Sequence, residues 1–424
     1  MRQCVNVFIQ MRRIFPCFLI APSPFSPMIF SQQELAQFRA DTPASKEVIH
    51  FNNAGAALQP LAVQQAVKDH LDLEYRLGGY EAAAQRAKHS QAFYSAVAKL
   101  LNAQPTQIAY MGSSTDAYNR ALSAISFAPD DLILTTENDY ASNHLAFLQI
   151  AKHYRVRIEM APECEEGGVD IAALQQMLRD QRPKLVAVTH MPTSNGLIQD
   201  VAAIGQTCRE MDVLYLVDAC QTAGQLPLDV QTIGCDFLTA TSRKFLRGPR
   251  GCGFLYVSQR VLDQNLAPHY LDLHSAIWTA PHAYDLQVDA RRFELWERNH
   301  ANLQGMVAAV QYAQQIGLNR IADYTAYLAD EFRQRIVELP SVQVMDYGKQ
   351  LGAIVTIHLP SQDPQALLQS LRAVGLHTSI SWQDYARHDL LRKNVPWGLR
   401  CSLHYYNTIE EVDKATKKIF KIIC

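Results

Sequence analysis

Between about residues 60 and 320, short apolar stretches alternate with longer amphipathic ones, and this rhythm restricts the fold more than any other feature of the chain. QIAYMG (107–112), DLILTTE (131–137), RVRIEMAP (155–162), PKLVAVTHMP (183–192) and VLYLVDAC (213–220) read as strands. Between them, AVQQAVKDHLDLEYRL (62–77), SQAFYSAVAKLLNA (90–103), SSTDAYNRALSAI (113–125), ASNHLAFLQIAKHY (141–154), VDIAALQQMLR (169–179) and DVAAIGQTCREM (200–211) carry apolar residues at helical spacing. Strands and helices in this order predict an α/β fold with a mostly parallel sheet covered on both faces. Ligands of such sheets sit at the carboxyl ends of the strands. TATSRKFLRGPRGCGFLYV (239–257) adds two strands joined by a basic turn.

The character changes at VAAVQYAQQIGLNRIADYTAYLADEFRQRIVEL (307–339), which reads as a long helical region. GAIVTIHL, DPQALLQSLRAVG, LHTSIS and GLRCSLHYYN follow, and the amphipathic TIEEVDKATKKIFKII closes the chain with Thr408 as N-cap. We expect a large domain over 49–306 and a smaller α/β domain from 28–48 and 307–424. Residues 1–27 have a basic start and an apolar run. Pro16, Pro22, Pro24 and Pro27 spoil that run as a signal peptide, and it is too short to span a membrane. Residues 1–27 are therefore expected to be a disordered or non-native extension. Ser31 with Glu34 forms a helix-start signature just after Met28.

A net charge of -2 argues against nucleic-acid binding. The nine cysteines include no CxxC pair and their number is odd, so neither a disulfide scaffold nor a metal site is expected, and a reducing cytoplasm is the default setting.

Chemically useful residues fall where the strands end. Asp218 and Gln221 close one strand, and Lys244 closes the next, 26 residues after Asp218. His190 and Thr193 end another, and Tyr140 follows DLILTTE. Ser113, Ser114 and Thr115 open a helix, where backbone N–H groups favour an anion. Alone, Lys244 reads as a surface cation beside a turn, Asp218 as a helix cap and His190 as a satisfied interior histidine. Together, a helix-end phosphate site, a stacking ring, an acid for a ring nitrogen and an imine-forming lysine make the set that pyridoxal phosphate requires. Arg247 and Arg250 are read as turn or interface residues.

In order, NNAG (52–55), SSTDAYN, VTHMPT, VDACQ, SRKFLRGPRGCGFLYV and LRCSLHYYNT resemble the class V aminotransferase family of fold-type I pyridoxal-phosphate enzymes. The resemblance covers about residues 30 to 424 and is nearest the branch of isopenicillin N epimerase-like proteins, ergothioneine-pathway sulfoxide lyases and cysteine desulfurase-like proteins. It implies a seven-stranded, mostly parallel sheet between helices and a homodimer with active sites at the interface. It further implies that Lys244 forms the imine and moves the α-proton, that Asp218 pairs with the pyridinium nitrogen and that Gln221 bonds the ring hydroxyl. Tyr140 and Thr193 stand where related enzymes often have a stacking histidine and an asparagine. Ser114, Thr115, Thr241 and Arg243 would meet the phosphate, and Arg400 would clamp the substrate carboxylate. Glu297 stands near the place of a threonine that often crosses to the partner's phosphate, which puts that contact in doubt. Trp278 is the alternative reaching group.

The substrate implied is a small L-amino acid, processed through an external aldimine and α-proton abstraction. A cysteine desulfurase needs a nucleophilic cysteine in the loop before the arginine. The corresponding GLHTSISWQDYARHDLL (375–391) has none, and Cys401 lies inside an apparent strand, so that activity is disfavoured here. A β-eliminating carbon–sulfur lyase is expected first, with aminotransferase and epimerase as alternatives and a non-catalytic cofactor-binding protein last. Tyr385 and Arg387 are candidates for contact with the substrate.

Overall fold

The computed structural model describes residues 29–424, so the expectation for residues 1–27 lies outside the described residues. Seven strands form the central sheet: β1 (Ile108–Met111), β2 (Leu132–Thr135), β3 (Arg157–Met160), β4 (Leu185–Thr189), β5 (Leu214–Asp218), β6 (Phe237–Thr241) and β7 (Gly253–Val257). Their order is β1-β7-β6-β5-β4-β2-β3, and only β7 runs antiparallel to its neighbours. Every residue of β4, β5, β6 and β7 is buried, which explains why these stretches are continuously apolar rather than alternating. The sheet edge at β3 is partly exposed and carries the Arg157–Glu159 ion pair, which discourages further strand pairing.

The helices begin where the sequence provides caps. Ser31 caps α1 (Gln32–Ala40) in a complete box with Glu34. Asp170 and Asp200 cap the helices Ile171–Gln181 and Val201–Glu210. α2 (Leu61–Leu77) and α3 (Ala87–Leu101) pack against α8 (His300–Ile316), while α4 (Ser114–Ser123) and α5 (Ala141–Tyr154) follow β1 and β2. The helical region expected from residue 307 onward is two helices. Gly317, at φ +96, ends α8 and starts α9 (Leu318–Ile336).

A second sheet is antiparallel. β8 (Ile354–His358) and β9 (Ser379–Trp382) flank β10 (Trp397–Ser402), with Gln343–Val344 on the outer edge of β8. The segment Ile49–His50 pairs with Leu376–His377, and Asn52 bridges to Ser402, so the early NNAG turn is held against the end of β10. No helix among the described residues is long and apolar enough to cross a membrane.

Arg247 is not the turn residue that its basic neighbourhood suggests. It is 1% exposed, and its backbone takes a φ of +60. Its Nε donates to the Leu58 carbonyl at 2.8 Å, Nη1 to the Tyr405 hydroxyl at 2.6 Å and Nη2 to the Thr42 hydroxyl at 2.5 Å. The Tyr406 and Tyr405 rings lie 4.4 and 5.0 Å from the guanidinium carbon. One planar fork thus ties the 243–250 hairpin to the chain after α1, to the NNAG region and to the HYYN segment. By contrast, Arg250 is exposed.

Arg247→Ala would orphan three acceptors and leave a void. Its unfolding free energy should fall by about 3 kcal/mol or more. Arg247→Lys should recover little of this, because an ammonium cannot reproduce the fork. Urea unfolding midpoints of the three proteins test both statements.

Candidate active site

The carboxyl ends of β4, β5 and β6 and the start of α4 enclose a cavity with about 630 Å³ of empty space, part of it open to solvent. Lys244, three residues beyond β6, projects into it and is buried. Burial pushes its pKa down, and Arg243 and Arg400 push the same way against Cys220 and Asp218. Its Nζ lies 5.9 Å from the centre of the Tyr140 ring, the aromatic wall of the cavity. No carboxylate lies within 4.0 Å of Nζ among the described residues, so the amine is poised for chemistry rather than locked in an ion pair.

Asp218 ends β5. The Cys220 N–H donates to its Oδ1 at 2.9 Å and the Asn143 Nδ2 to its Oδ2 at 3.2 Å. Gln221 donates to the Thr193 hydroxyl at 3.2 Å and to the Ala54 carbonyl at 3.3 Å, and its buried Oε1 has no partner. At the opposite end of the cavity, Ser113 caps α4 by accepting from the Asp116 N–H at 3.0 Å. Ser114 donates to the Thr239 hydroxyl at 3.2 Å. A Cβ on Gly253 would come within 2.4 Å of the Ala240 carbonyl oxygen and 3.2 Å of the Ser114 nitrogen. Only glycine lets β7 pass this close beneath the helix start. Thr241 also lines the cavity, with its hydroxyl 3.5 Å from the Cys252 carbonyl.

Arg400 lies in β10, and it reaches the site through Thr193 rather than lining the cavity itself. It donates to the Thr193 hydroxyl at 2.6 Å, to the Thr193 carbonyl at 3.1 Å and to Asn52 Oδ1 at 3.4 Å. Gly55 leaves room for that Asn52 side chain, since a Cβ there would stand 2.5 Å from Oδ1. Burial, then Arg243, lowers the Arg400 pKa to about 10. Its Nε has no partner, and no carboxylate pairs with it among the described residues.

The structure therefore brings Lys244, Asp218, Tyr140, Ser114, Thr115, Thr193, Gln221 and Thr241 to one cavity, with Arg400 at its side. Arg243 lines it too, but its guanidinium donates to the Gly55 carbonyl on the NNAG turn, not to the α4 cradle. Tyr385 and Arg387 are 55% and 61% exposed, and neither is in the wall. Arg387 pairs with Asp384 at 2.6 Å, while Asp389 accepts from Ser194 and Asn195 at 3.2 and 3.1 Å. In the cysteine-free region 375–391, Ser379–Trp382 is β9 and a short helix, Arg387–Arg392, follows, held down against the loop after β4. His190 is buried outside the cavity with an unpartnered Nδ1, and burial lowers its pKa to about 4. Glu297 is exposed, and Trp278 is 74% exposed on the hairpin Ala276–Leu286. Asn143, Thr189 and Cys220 also line the cavity and were not among the expected residues.

Pyridoxal phosphate fits this donor set. Asp218 would face the ring nitrogen, Tyr140 the ring, Gln221 the ring hydroxyl and the N-terminus of α4 the phosphate. The orphaned Gln221 Oε1 and Arg400 Nε are the unmet demands that a cofactor and a carboxylate would fill.

The sequence profile of the family described as aminotransferase class-V matches residues 49–415. A probable cysteine desulfurase of Methanothermobacter thermautotrophicus is 27% identical over 396 residues, covering 91% of this chain and 96% of that protein. Another, from Pyrococcus abyssi, is 26% identical over 383 residues, covering 88% and 94%. The apo cysteine desulfurase of Thermococcus onnurineus superposes with a TM-score of 0.83 at 24% identity, over 92% of this chain and 98% of that one. The cystine C–S lyase C-DES, in complex with cysteine persulfide, gives 0.80 at 21% identity over 89% and 99%. The two structures support the fold. The names of the relatives correct one expectation, because they give no ground for disfavouring a desulfurase.

His190 and His50 carry a consequence for stability. Burial depresses both pKa values from 6.5 to about 4 in the fold. Below about pH 6.5 the unfolded chain binds protons that the native state refuses, so stability should fall as pH drops from about 6.5 toward 4. Urea unfolding across that range should show the decline, and His190→Gln should make it shallower while His50 keeps its share.

Proposed function

We propose, since this chain belongs to the class V aminotransferase family of pyridoxal-phosphate enzymes, that it is a β-eliminating carbon–sulfur lyase acting on an L-amino acid. The observation that carries this reading is the set of thiols near the site. Residues 375–391 contain no cysteine, and Cys401 is buried in β10. Cys220 is the cysteine in the cavity wall, and burial pushes its pKa up to about 12, so it stays a thiol and a poor acceptor of sulfur. Elimination needs no protein nucleophile.

When bound, the cofactor supplies an electron sink for the carbon that loses its proton. The protein's part follows from its geometry. Arg400 offers its free Nε and remaining donors to the α-carboxylate, a task suited to a planar fork. That contact aims the substrate's Cα hydrogen at Lys244. The amine, unpaired and with its pKa lowered, takes that proton. Cleavage of the Cβ–S bond carries its electron pair away with the sulfur, which departs as a thiol or sulfenic acid after protonation. Water then releases the remaining three carbons as pyruvate and ammonia. Asp218 would hold the ring nitrogen protonated, and Tyr140 would cover the ring.

The relatives' names favour a second reading, a cysteine desulfurase, whose products are alanine and a persulfide on the enzyme. Aminotransferase and epimerase readings share the same clamp and lysine. A homodimer belongs to the proposal as well. Trp278, Tyr284, Val288 and Trp296 are all more than half exposed along one hairpin and the loop after it, an apolar surface that a second copy would cover.

L-cysteine, its S-conjugates and their sulfoxides should yield pyruvate and ammonia in equal amounts, and Lys244→Ala should lower turnover at least about 100-fold. Alanine with protein-bound sulfur would establish the desulfurase instead. A pyridoxamine form reversed by keto acid would establish an aminotransferase.

A further inference from the structure

Beneath Asp218 lies a second carboxylate that the proposed chemistry leaves without a task. Asp139 sits between β2 and α5 and is 4% exposed. Its carboxylate accepts four hydrogen bonds. The Thr135 hydroxyl, at the end of β2, donates to its Oδ2 at 2.7 Å. The Thr189 hydroxyl, at the end of β4, donates to Oδ1. The Tyr140 N–H and the Asn143 Nδ2 donate to the same Oδ1 at 2.7 and 2.8 Å. The site thus provides an acceptor-only place, which a carboxylate fills and a neutral amide fills poorly.

The same Asn143 nitrogen donates to Asp218 Oδ2 at 3.2 Å. Its two hydrogens are divided, one to each carboxylate. This sharing settles the direction of the amide. With Oδ1 turned inward, Asn143 would set an acceptor against both carboxylates at once. Two strand ends, through their threonines, hold Asp139 still, and Asp139 in turn holds the residue that touches Asp218. It also fixes the backbone of Tyr140, the N-cap of α5. Neither Thr135 nor Asp139 lines the cavity, whereas Tyr140, Asn143, Thr189 and Asp218 do.

We propose that Asp139 is a positioning residue, which through the Asn143 amide aims the Asp218 carboxylate and through the Tyr140 N–H seats the aromatic wall. The proposal rests on the pyridoxal-phosphate reading of the cavity. Asp139 touches neither substrate nor cofactor in it. Its effect on Asp218 is carried by one side chain, so removing Asp139 and removing Asn143 should disturb the same carboxylate.

The test is a double-mutant cycle in the full-length holoenzyme: Asp139→Asn, Asn143→Ala and the pair, with Asp218→Asn as reference. The readouts are the visible circular dichroism of the bound cofactor, its dissociation constant and the thermal midpoint. Each single variant should weaken cofactor retention by about tenfold and shift the visible band toward that of Asp218→Asn, and Asp139→Asn should also lower the thermal midpoint, because its amide meets buried donors. The double variant should be no worse than the weaker single one. Independent effects that multiply, or a wild-type band and affinity in Asp139→Asn, would overturn the proposal. If Asp139→Asn does not fold, Asn143→Ala decides alone, since a wild-type band there breaks the link to Asp218 and overturns the proposal. A wild-type protein without any cofactor band would overturn the underlying reading, and this proposal with it.

Discussion

Three cations on the 243–250 hairpin and β10, Lys244, Arg247 and Arg400, have no carboxylate within 4.0 Å among the described residues. Lys244 and Arg247 are buried, and Arg400 is half-buried. Taking a charge out of water costs several kcal/mol unless hydrogen bonds replace the lost hydration. The chain meets this demand in two ways. Arg247 is satisfied internally by a carbonyl, two hydroxyls and two aromatic rings. Lys244 and Arg400 are left incomplete. Their environment is polar enough to keep them in place and too poor in acceptors to satisfy them. A guanidinium fulfilled by the protein is architecture, and one left wanting an anion is a binding site.

That division shows how the two sheets cooperate. The parallel sheet supplies residues where its strands stop: Thr135, Thr189, Asp218 and Thr241 are the last residues of their strands. Thr189 and Asp218 pair directly across β4 and β5, and β6 runs on to Thr241, two residues past Thr239, the partner of Asp218, so side chains distant in sequence arrive at one end of the sheet. The antiparallel sheet supplies a single residue, Arg400, from the middle of β10, the strand between β8 and β9. The NNAG turn joins the two, bonded through Asn52 to Arg400 and through Gly55 to Arg243.

What could be read from the sequence follows from the same geometry. Lys244, Asp218 and Gln221 were legible because strand ends and short loops convert sequence spacing into spatial spacing with little freedom. Ser31, Asp170 and Thr408 were legible because capping is local. Arg247 was misread because a basic residue just before a Gly-Pro turn looks solvated, and its four partners come from three remote segments. Asp139 and Asn143 stood one and three places from Tyr140, in DYASN, yet nothing local says that an aspartate will meet hydroxyls from two different strands. Tyr385 and Arg387 stood as substrate candidates because the polar composition of 383–392 hides Asp389, which is buried by partners 194 and 195 residues earlier. Long-range polar pairing is the part of a fold that composition and periodicity do not encode.

The divided ownership of Arg400 has one more effect. Its main-chain neighbours belong to the antiparallel sheet, while Thr193, which takes two of its hydrogen bonds, follows β4. Any carboxylate seated on its free Nε is gripped by one body and enclosed by the other. By mass action, such a ligand adds stability only to chains in which both bodies are assembled. A small unreactive amino acid would therefore act as a reversible staple, protecting backbone amides far from the point of contact from hydrogen exchange, and departing whenever the two bodies part.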